Sequence, residues 1–260
     1  MSKSEDKPKD SKQVLREQLN ESMQEYRRSN LNIFLSAVTA GLEIGFSILL
    51  MGILYTVFRN YLPDDLLHLV TAFGYPLGFI FVIIGGSQLF TEQTSLAVMP
   101  VLSGRVGFKD LFRLWLVVFT GNIIGGGLFA MLITWIGPAM NIIEVEAFTH
   151  FAKLLTDPEW YVVLGSATLA GWLMGLLSWL LFTSQESLTR IAVVALITLI
   201  IGFGKLHHCI VGSVEILCAM LSQHDFNAAV YGQTMLFSVI GNIIGGAFFV
   251  AVLKYSTIKS

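Results

Sequence analysis

Six apolar runs divide this chain, and two of them are too long to cross a bilayer as one straight helix. A hydrocarbon core takes roughly 20 apolar residues per helix. The runs at residues 33–58, 114–136, 161–182 and 228–253 suit one pass each, whereas those at 67–102 and 191–220 overshoot it. The first long run is interrupted at Gly85-Gly86-Ser87 and again at Leu89-Phe90-Thr91-Glu92-Gln93-Thr94, the second at Gly202-Phe203-Gly204-Lys205. Irregular backbone at membrane depth survives only where protein buries it or where it lines a cavity. The pattern predicts an all-α membrane protein with six transmembrane helices, of which the second and fifth are broken.

Composition agrees with this reading. Charged residues make up 13% of the chain, hydrophobic ones 54%, and the mean hydropathy is +0.70. A soluble domain carries roughly 25% charged residues. The net charge of −2 lacks the basic footprint of a nucleic-acid binder, so no such partner is expected. Cys209 and Cys218 fall in one apolar run and read as small buried side chains, not as a disulfide or metal motif. No cofactor and no metal are expected.

Residues 1–30 form a polar N-terminal segment without the apolar core of a signal peptide, so the first apolar run is expected to direct insertion. The first dozen residues have the charge of a disordered tail. From residue 13 to 28, Val14, Leu15, Leu19, Met23 and Tyr26 recur at helical spacing among charged neighbours, which is an amphipathic helix. It lies on the membrane surface or under the bundle, or else it is a polar start to the first span. Residues 31–255 form the channel or transporter domain and 256–260 a short tail.

An even number of passes puts both termini on one side. That side carries Lys3, Lys7, Lys9, Lys12, Arg16, Arg27, Arg28, Arg105, Lys109, Arg113, Arg190, Lys254 and Lys259. The other side has Arg59 and Lys153, with Lys205 left inside the membrane. The positive-inside rule then makes both termini cytoplasmic, in an inner (plasma) membrane.

Two stretches nearly repeat. Thr120-Gly121-Asn122-Ile123-Ile124-Gly125-Gly126-Gly127 sits in the third run, and Ile240-Gly241-Asn242-Ile243-Ile244-Gly245-Gly246-Ala247 in the sixth. These runs cross in opposite directions, and the broken runs also occupy corresponding places. The result is an inverted 3+3 repeat, an arrangement that places a transport pathway at the repeat interface. The glycines by themselves need be no more than a small-residue packing face.

The chemistry concentrates at the breaks. A half-helix N-terminus presents free N–H groups and about half a positive charge to an anion. Thr91 either caps the half-helix after the first break or points its hydroxyl into a pore. Lys205, His207 and His208 at the second break are costly at membrane depth and therefore functional candidates. Adjacent histidines on a helix point about 100° apart, so one of the two faces a given pore. His208 and Glu215, seven residues apart, are too distant to share a metal without a third helix. Glu43 and Glu215 read as carboxylates that hydrogen-bond between helices or between subunits.

At these residues the chain, over about residues 30–255, resembles the formate/nitrite transporter family. Leu89-Phe90-Thr91 matches one family signature, the break bearing His208 a second, and the run from Gly241 to Gly246 a third. The resemblance implies an aquaporin-like six-helix protomer, assembled as a homopentamer with a pore in each subunit. It implies small monovalent anions as substrates, among them formate, nitrite, hydrosulfide and lactate-like anions. It also implies that Thr91 touches the central His208, that Leu89 and Phe90 narrow the pore, and that Tyr75, Phe79 and Ile201 form further constrictions. The chain departs from the pattern as well. Leu206-His207-His208-Cys209 stands where relatives have Phe-Glu-His-Ser, Gly212 and Gly171 replace asparagines, and Lys153 only lies near the place of an anion-attracting lysine.

The mechanism expected is entry of an anion into a vestibule, drawn by half-helix N-termini and Lys205, followed by an apolar constriction where a bare charge pays a desolvation cost. There His208, held by Thr91, donates a proton or a charge-assisted hydrogen bond, and transport quickens as pH falls. The chain is thus expected not to be an enzyme. Two other readings remain open at this point: a channel for a neutral solute such as water, glycerol or ammonia, and a membrane-embedded enzyme using His207 and His208.

Overall fold

Helices supply all the regular structure of the residues described by the computed structural model, which are 9–222, 227–252 and 254–256. In chain order they are α1 (Ser11–Arg27), α2 (Asn30–Phe58), α3 (Asp64–Ala72), α4 (Pro76–Gly85), α5 (Phe90–Leu96), α6 (Val98–Leu102), α7 (Phe108–Ala139), α8 (Val145–Thr156), α9 (Trp160–Thr183), α10 (Ser187–Phe203), α11 (Cys209–Ser222) and α12 (Ala228–Ile243), which continues in wider turns over Ile244–Val252. Most of the tail expected to be disordered, Lys3, Lys7 and Lys259, the end of the sixth run at Leu253 and most of the C-terminal tail lie outside the described residues.

Five stretches are long and apolar enough to cross a membrane: Asn30–Phe58, Asp64–Gly85, Phe108–Ala139, Trp160–Thr183 and Ala228–Phe248. Ser187–Phe203 and Cys209–Ser222 are apolar but shorter. Local chemistry sets several boundaries. Ser29 caps α2 by accepting from the Asn32 N–H at 3.2 Å, and Asn227 caps α12 through the N–H groups of Ala229 and Val230.

The two long runs stop in the same way. After α4, Gly86 turns left-handed at φ 73° and the Ser87 N–H bonds back to the Val82 carbonyl at 3.0 Å. After α10, Lys205 is left-handed at φ 51° and the Leu206 N–H bonds back to the Ile201 carbonyl at 3.0 Å. Both are left-handed helix stops closed by a bond from the residue beyond to the last full turn. Glycine suits that position, whereas lysine there is strained. The interruption expected from Leu89 through Thr94 is shorter than the sequence suggested. Phe90 to Leu96 are helical because Phe90 N–H, the first orphan donor of α5, finds a side-chain partner.

Two close helix pairs form the frame, α2 on α7 and α9 on α12. At their crossings the backbones touch: Gly41 lies against the Asn122 carbonyl, and Gly171 against the Asn242 carbonyl. The half-helices then cross over. α5 packs against α9 and the turns after α12, while α11 packs against α7 and α8. Large apolar side chains stay on the outside, including Leu132 and Trp135 of α7, Leu169 of α9, Leu196 of α10 and Leu236 of α12. A surface of this kind needs lipid or another subunit against it. Exposed Tyr61, Trp135, Trp160 and Tyr161 gather at the end where α2 and α7 finish and α9 starts, as interfacial aromatics do.

Candidate functional site

Two buried asparagines hold the breaks open. Asn122 accepts from the Phe90 N–H at 2.8 Å and donates to the carbonyls of Gln88 and Ala37, each at 2.8 Å. Asn242 accepts from the Cys209 N–H at 2.9 Å and donates to the carbonyls of His207 at 2.9 Å and Ala167 at 2.8 Å. A serine completes each set. Ser36 Oγ accepts from the Gln88 N–H at 3.2 Å, and Ser166 Oγ from the His207 N–H at 3.1 Å. Backbone that has left the helix ladder thus finds partners without water, as a buried break requires. In this register Gln88 corresponds to His207, Leu89 to His208 and Phe90 to Cys209.

Between the breaks, His208 and Thr91 meet. His208 Nε2 and Thr91 Oγ1 are 2.7 Å apart, with both residues buried. The Val211 N–H donates to His208 Nδ1 at 3.3 Å. That bond occupies the Nδ1 lone pair, so the ring proton sits on Nε2 and is donated to the Thr91 oxygen. The Thr91 hydroxyl proton then has no acceptor among the described residues. Thr91 does not cap α5; the residue before that helix is Leu89, which caps nothing with its side chain. Phe79 sets its ring edge-on to His208 at 5.0 Å, and Tyr75 stacks on Phe79 at 5.4 Å.

Two cavities approach this pair. The first is bounded by α3, α8, α10 and α11, and is lined by Tyr75, Ile201, His208, His68, Lys205 and Glu215 among others. The second lies beneath α1 and is lined by Gln88, Glu92, Gln93, Val82 and Ile83 with Glu17, Glu21 and Glu25 of α1. Lys205, which the sequence leaves inside the membrane, is exposed and lines the first cavity. His68 Nε2 donates to the Phe203 carbonyl at 3.0 Å. His150 stands close by on α8, and its pKa is lowered by burial first and then by the positive charges of His68 and Lys205. Lys205 places a positive charge at this cavity.

His207, expected to line the pore, is tied to the scaffold. Its Nδ1 takes a bond from Ser166 Oγ at 2.9 Å and its Nε2 donates to the Leu155 carbonyl at 3.0 Å, so both ring nitrogens are spent on the scaffold. His207 and His208 both lie in the non-helical break before α11, one ring bonded to Ser166 and Leu155 and the other to Thr91. Leu89 is fully buried, and the Phe90 ring packs against Phe119 at 5.1 Å and Trp115 at 6.3 Å. Glu215 lines the first cavity and makes no bond to another helix. Glu43 is half-buried with one carboxyl oxygen lacking a partner. Among the described residues no three His, Cys, Asp or Glu side chains gather as a metal would need.

The residues missed from sequence are Asn122, Asn242, Ser36 and Ser166. The asparagines stood in the repeated run, but the glycines around them drew the packing explanation. The serines carried a fainter signal, since Ser36-Ala37 and Ser166-Ala167 sit at like positions in the first and fourth runs.

Comparison with known proteins agrees with this architecture. The solved structure of an FNT family ion channel superposes with a TM-score of 0.85 at 19% identity, covering 95% of this chain and 99% of that one. A pentameric formate channel with formate bound gives a TM-score of 0.71 at 20% identity, covering 89% and 98%. Inner membrane protein YfdC of Escherichia coli is 33% identical over 248 residues, which is 91% of this chain and 75% of that protein. Nitrite transporter NirC of Escherichia coli is 24% identical, covering 88% of this chain and 85% of that protein. The named channels and transporters among these relatives are not enzymes. The model of the formate/nitrite transporter family matches residues 12–256, and the chain belongs to that family.

Proposed function

We propose that this chain carries small monovalent weak-acid anions across a membrane through a pathway that passes between Thr91 and His208. Relatives named as a nitrite transporter and as a formate channel support the substrate class. Six passes in an inverted 3+3 repeat, with broken second and fifth passes, are supported by the matching bonds of Asn122 and Asn242. A homopentamer is supported by the pentameric relative and by the apolar outer faces. Both termini face the cytoplasm of a plasma membrane on the charge bias, with Lys205 now on the outer side beside Arg59 and Lys153. The α1 helix then covers the inner mouth.

The hydrogen bond between Thr91 and His208 is the observation that carries the reading. An anion that has left the cationic outer mouth meets Tyr75, Phe79 and Ile201, where its hydration is stripped at a cost. The Thr91 hydroxyl, with its oxygen turned toward His208, offers its proton to that anion. His208 acts here as a hydrogen-bond donor that aims Thr91. Proton donation would need a second proton on Nδ1, where the Val211 N–H already points. A neutral-solute channel would have less use for Lys205 at the mouth.

The test is flux of formate, nitrite, lactate and hydrosulfide into proteoliposomes. Thr91→Ser should keep the flux, Thr91→Val should lower it at least about tenfold, the order of one lost hydrogen bond to a charge, and His208→Asn should lower it too. Equal anion flux in Thr91→Val and wild type, or water permeation without anion flux, would overturn the proposal.

A further inference from the structure

A third cavity opens beside α1, apart from the two that approach Thr91 and His208. It holds about 560 Å³, within the range of about 300–1,000 Å³ of small-molecule sites. Its charged groups are Lys12, Arg16 and Arg105, with Leu15, Leu19 and Tyr255 among its other walls, and no carboxylate lines it. None of the three cations has an ion-pair partner among the described residues. Three like charges around one cavity repel one another, and an anion between them relieves that repulsion.

The charges of α1 are sorted by face. Lys12 and Arg16 stand at i and i+4 on the third cavity, whereas Glu17, Glu21 and Glu25 stand at i, i+4 and i+8 on the cavity beneath α1. At 100° per residue the centres of these two stripes lie roughly 160° apart. The bonds from Ser22 and Tyr26 to the carbonyls of Leu96 and Ala97 fix α1 beside α5 and α6. Arg105 is presented just past α6, where Gly104 turns left-handed at φ 73° and the Arg105 N–H bonds back to the Pro100 carbonyl at 3.0 Å.

All three walls of this cavity adjoin ends of membrane-spanning segments. α1 leads into the span that starts at Asn30, Arg105 shortly precedes the span that starts at Phe108, and Tyr255 follows the last span. Phe108 and Phe112, at 69% and 63% exposure, offer apolar faces at that end of α7. Basic groups at span ends beside apolar faces suit a lipid, its phosphate among the cations and its acyl chains along the aromatic rings. The guanidinium groups of Arg16 and Arg105 can each meet two phosphate oxygens. A zwitterionic headgroup would bring its own cation into the cluster. We propose that this cavity binds the phosphate of an anionic phospholipid headgroup, which bridges α1 to the loop after α6. The site requires a membrane around the chain and no particular transported anion.

Calorimetric titration of the full-length protein in non-ionic detergent tests this, with dihexanoyl phosphatidylglycerol, dihexanoyl phosphatidylcholine and inorganic phosphate as probes. Phosphatidylglycerol should bind at least about tenfold more tightly than either of the others, the size of one hydrogen bond to a charged group. Arg16→Gln and Arg105→Gln should each weaken it about tenfold on the same ground. Lys109→Gln, which removes a basic side chain outside the cavity, should change it little. Equal affinity for the two lipids overturns the proposal, and so does unchanged phosphatidylglycerol affinity in both arginine variants. Inorganic phosphate bound as tightly as phosphatidylglycerol also overturns it, in favour of a site for the free ion. If an arginine variant does not assemble, the wild-type affinities for the three probes and the effect of Lys12→Gln decide.

Discussion

Asn122 and Asn242 make the same three hydrogen bonds, one accepted from the first N–H of a half-helix and two donated, one to a carbonyl of the break and one to a carbonyl of the paired helix. Each asparagine is fully buried, so no water can take its place. Replacing either by alanine strands one N–H and one carbonyl of the break. At about 1–3 kcal/mol for each buried group left unpaired, only partly relieved by local shifts, a loss of about 2–4 kcal/mol is expected. Thermal unfolding of purified Asn122→Ala and Asn242→Ala would show it as similar drops. A large drop for one and none for the other would mean that the two breaks are not held alike.

Gly41 and Gly171 face those asparagines across the helix pairs, with the Asn122 and Asn242 carbonyls where a Cβ would stand. Alanine at either site has to push two helix backbones apart. Gly41→Ala and Gly171→Ala are expected to abolish assembly or to destabilise by about 1–3 kcal/mol or more. Gly165 has open space around it, and Gly165→Ala should be harmless. Size-exclusion profiles of the three variants provide the comparison.

Lys205 combines a strained backbone with a useful charge. Its φ of 51° costs a non-glycine residue about 1 kcal/mol. Lys205→Gly should therefore unfold at a higher temperature than the wild type while passing anions more slowly at low ionic strength, where the cationic mouth counts most. Lys205→Gly with lower stability would remove the claim of strain, and unchanged anion flux would remove the claim of steering.

The docking of α1 should depend on pH. Burial raises the Glu25 carboxyl above its ordinary 4.5, against the opposing pull of Arg28 at 2.9 Å and with further push from Glu21. A raised carboxyl favours the docked state when protonated. Docking is strongest below the ordinary value and weakens as pH rises through the raised one. Ser22 and Tyr26 still tie α1 to the carbonyls of Leu96 and Ala97 at 2.8 and 2.6 Å. A spin label at Lys12 should gain mobility with rising pH in the wild type and less so in Glu25→Gln. The same pH response in both would assign it to another group.

Much of this was legible in the chain because apolar length and periodicity are local properties. Gly86 announced a stop, and the pair His207-His208 announced two roles for two side chains. The bracket around each break was not legible in that way, since Ser36, Gln88 and Asn122 meet only after the chain has folded. Asn242 and Ser166 had the same difficulty. His207 and His208 looked equivalent until Ser166 and Leu155 claimed one of them.

The shared register of the breaks separates what holds the chain from what the chain presents. Every bond of the bracket uses backbone groups of residues 88, 90, 207 and 209, and none uses the side chain at 89 or 208. Leu89 and His208 are therefore two outcomes at one kind of socket, one apolar and one able to orient a hydroxyl. Such a socket accepts new chemistry without renegotiating its architecture. Descent from a duplicated half would need only one such exchange for a symmetric ancestor to acquire a directional pathway, and an engineer could make the same exchange in reverse.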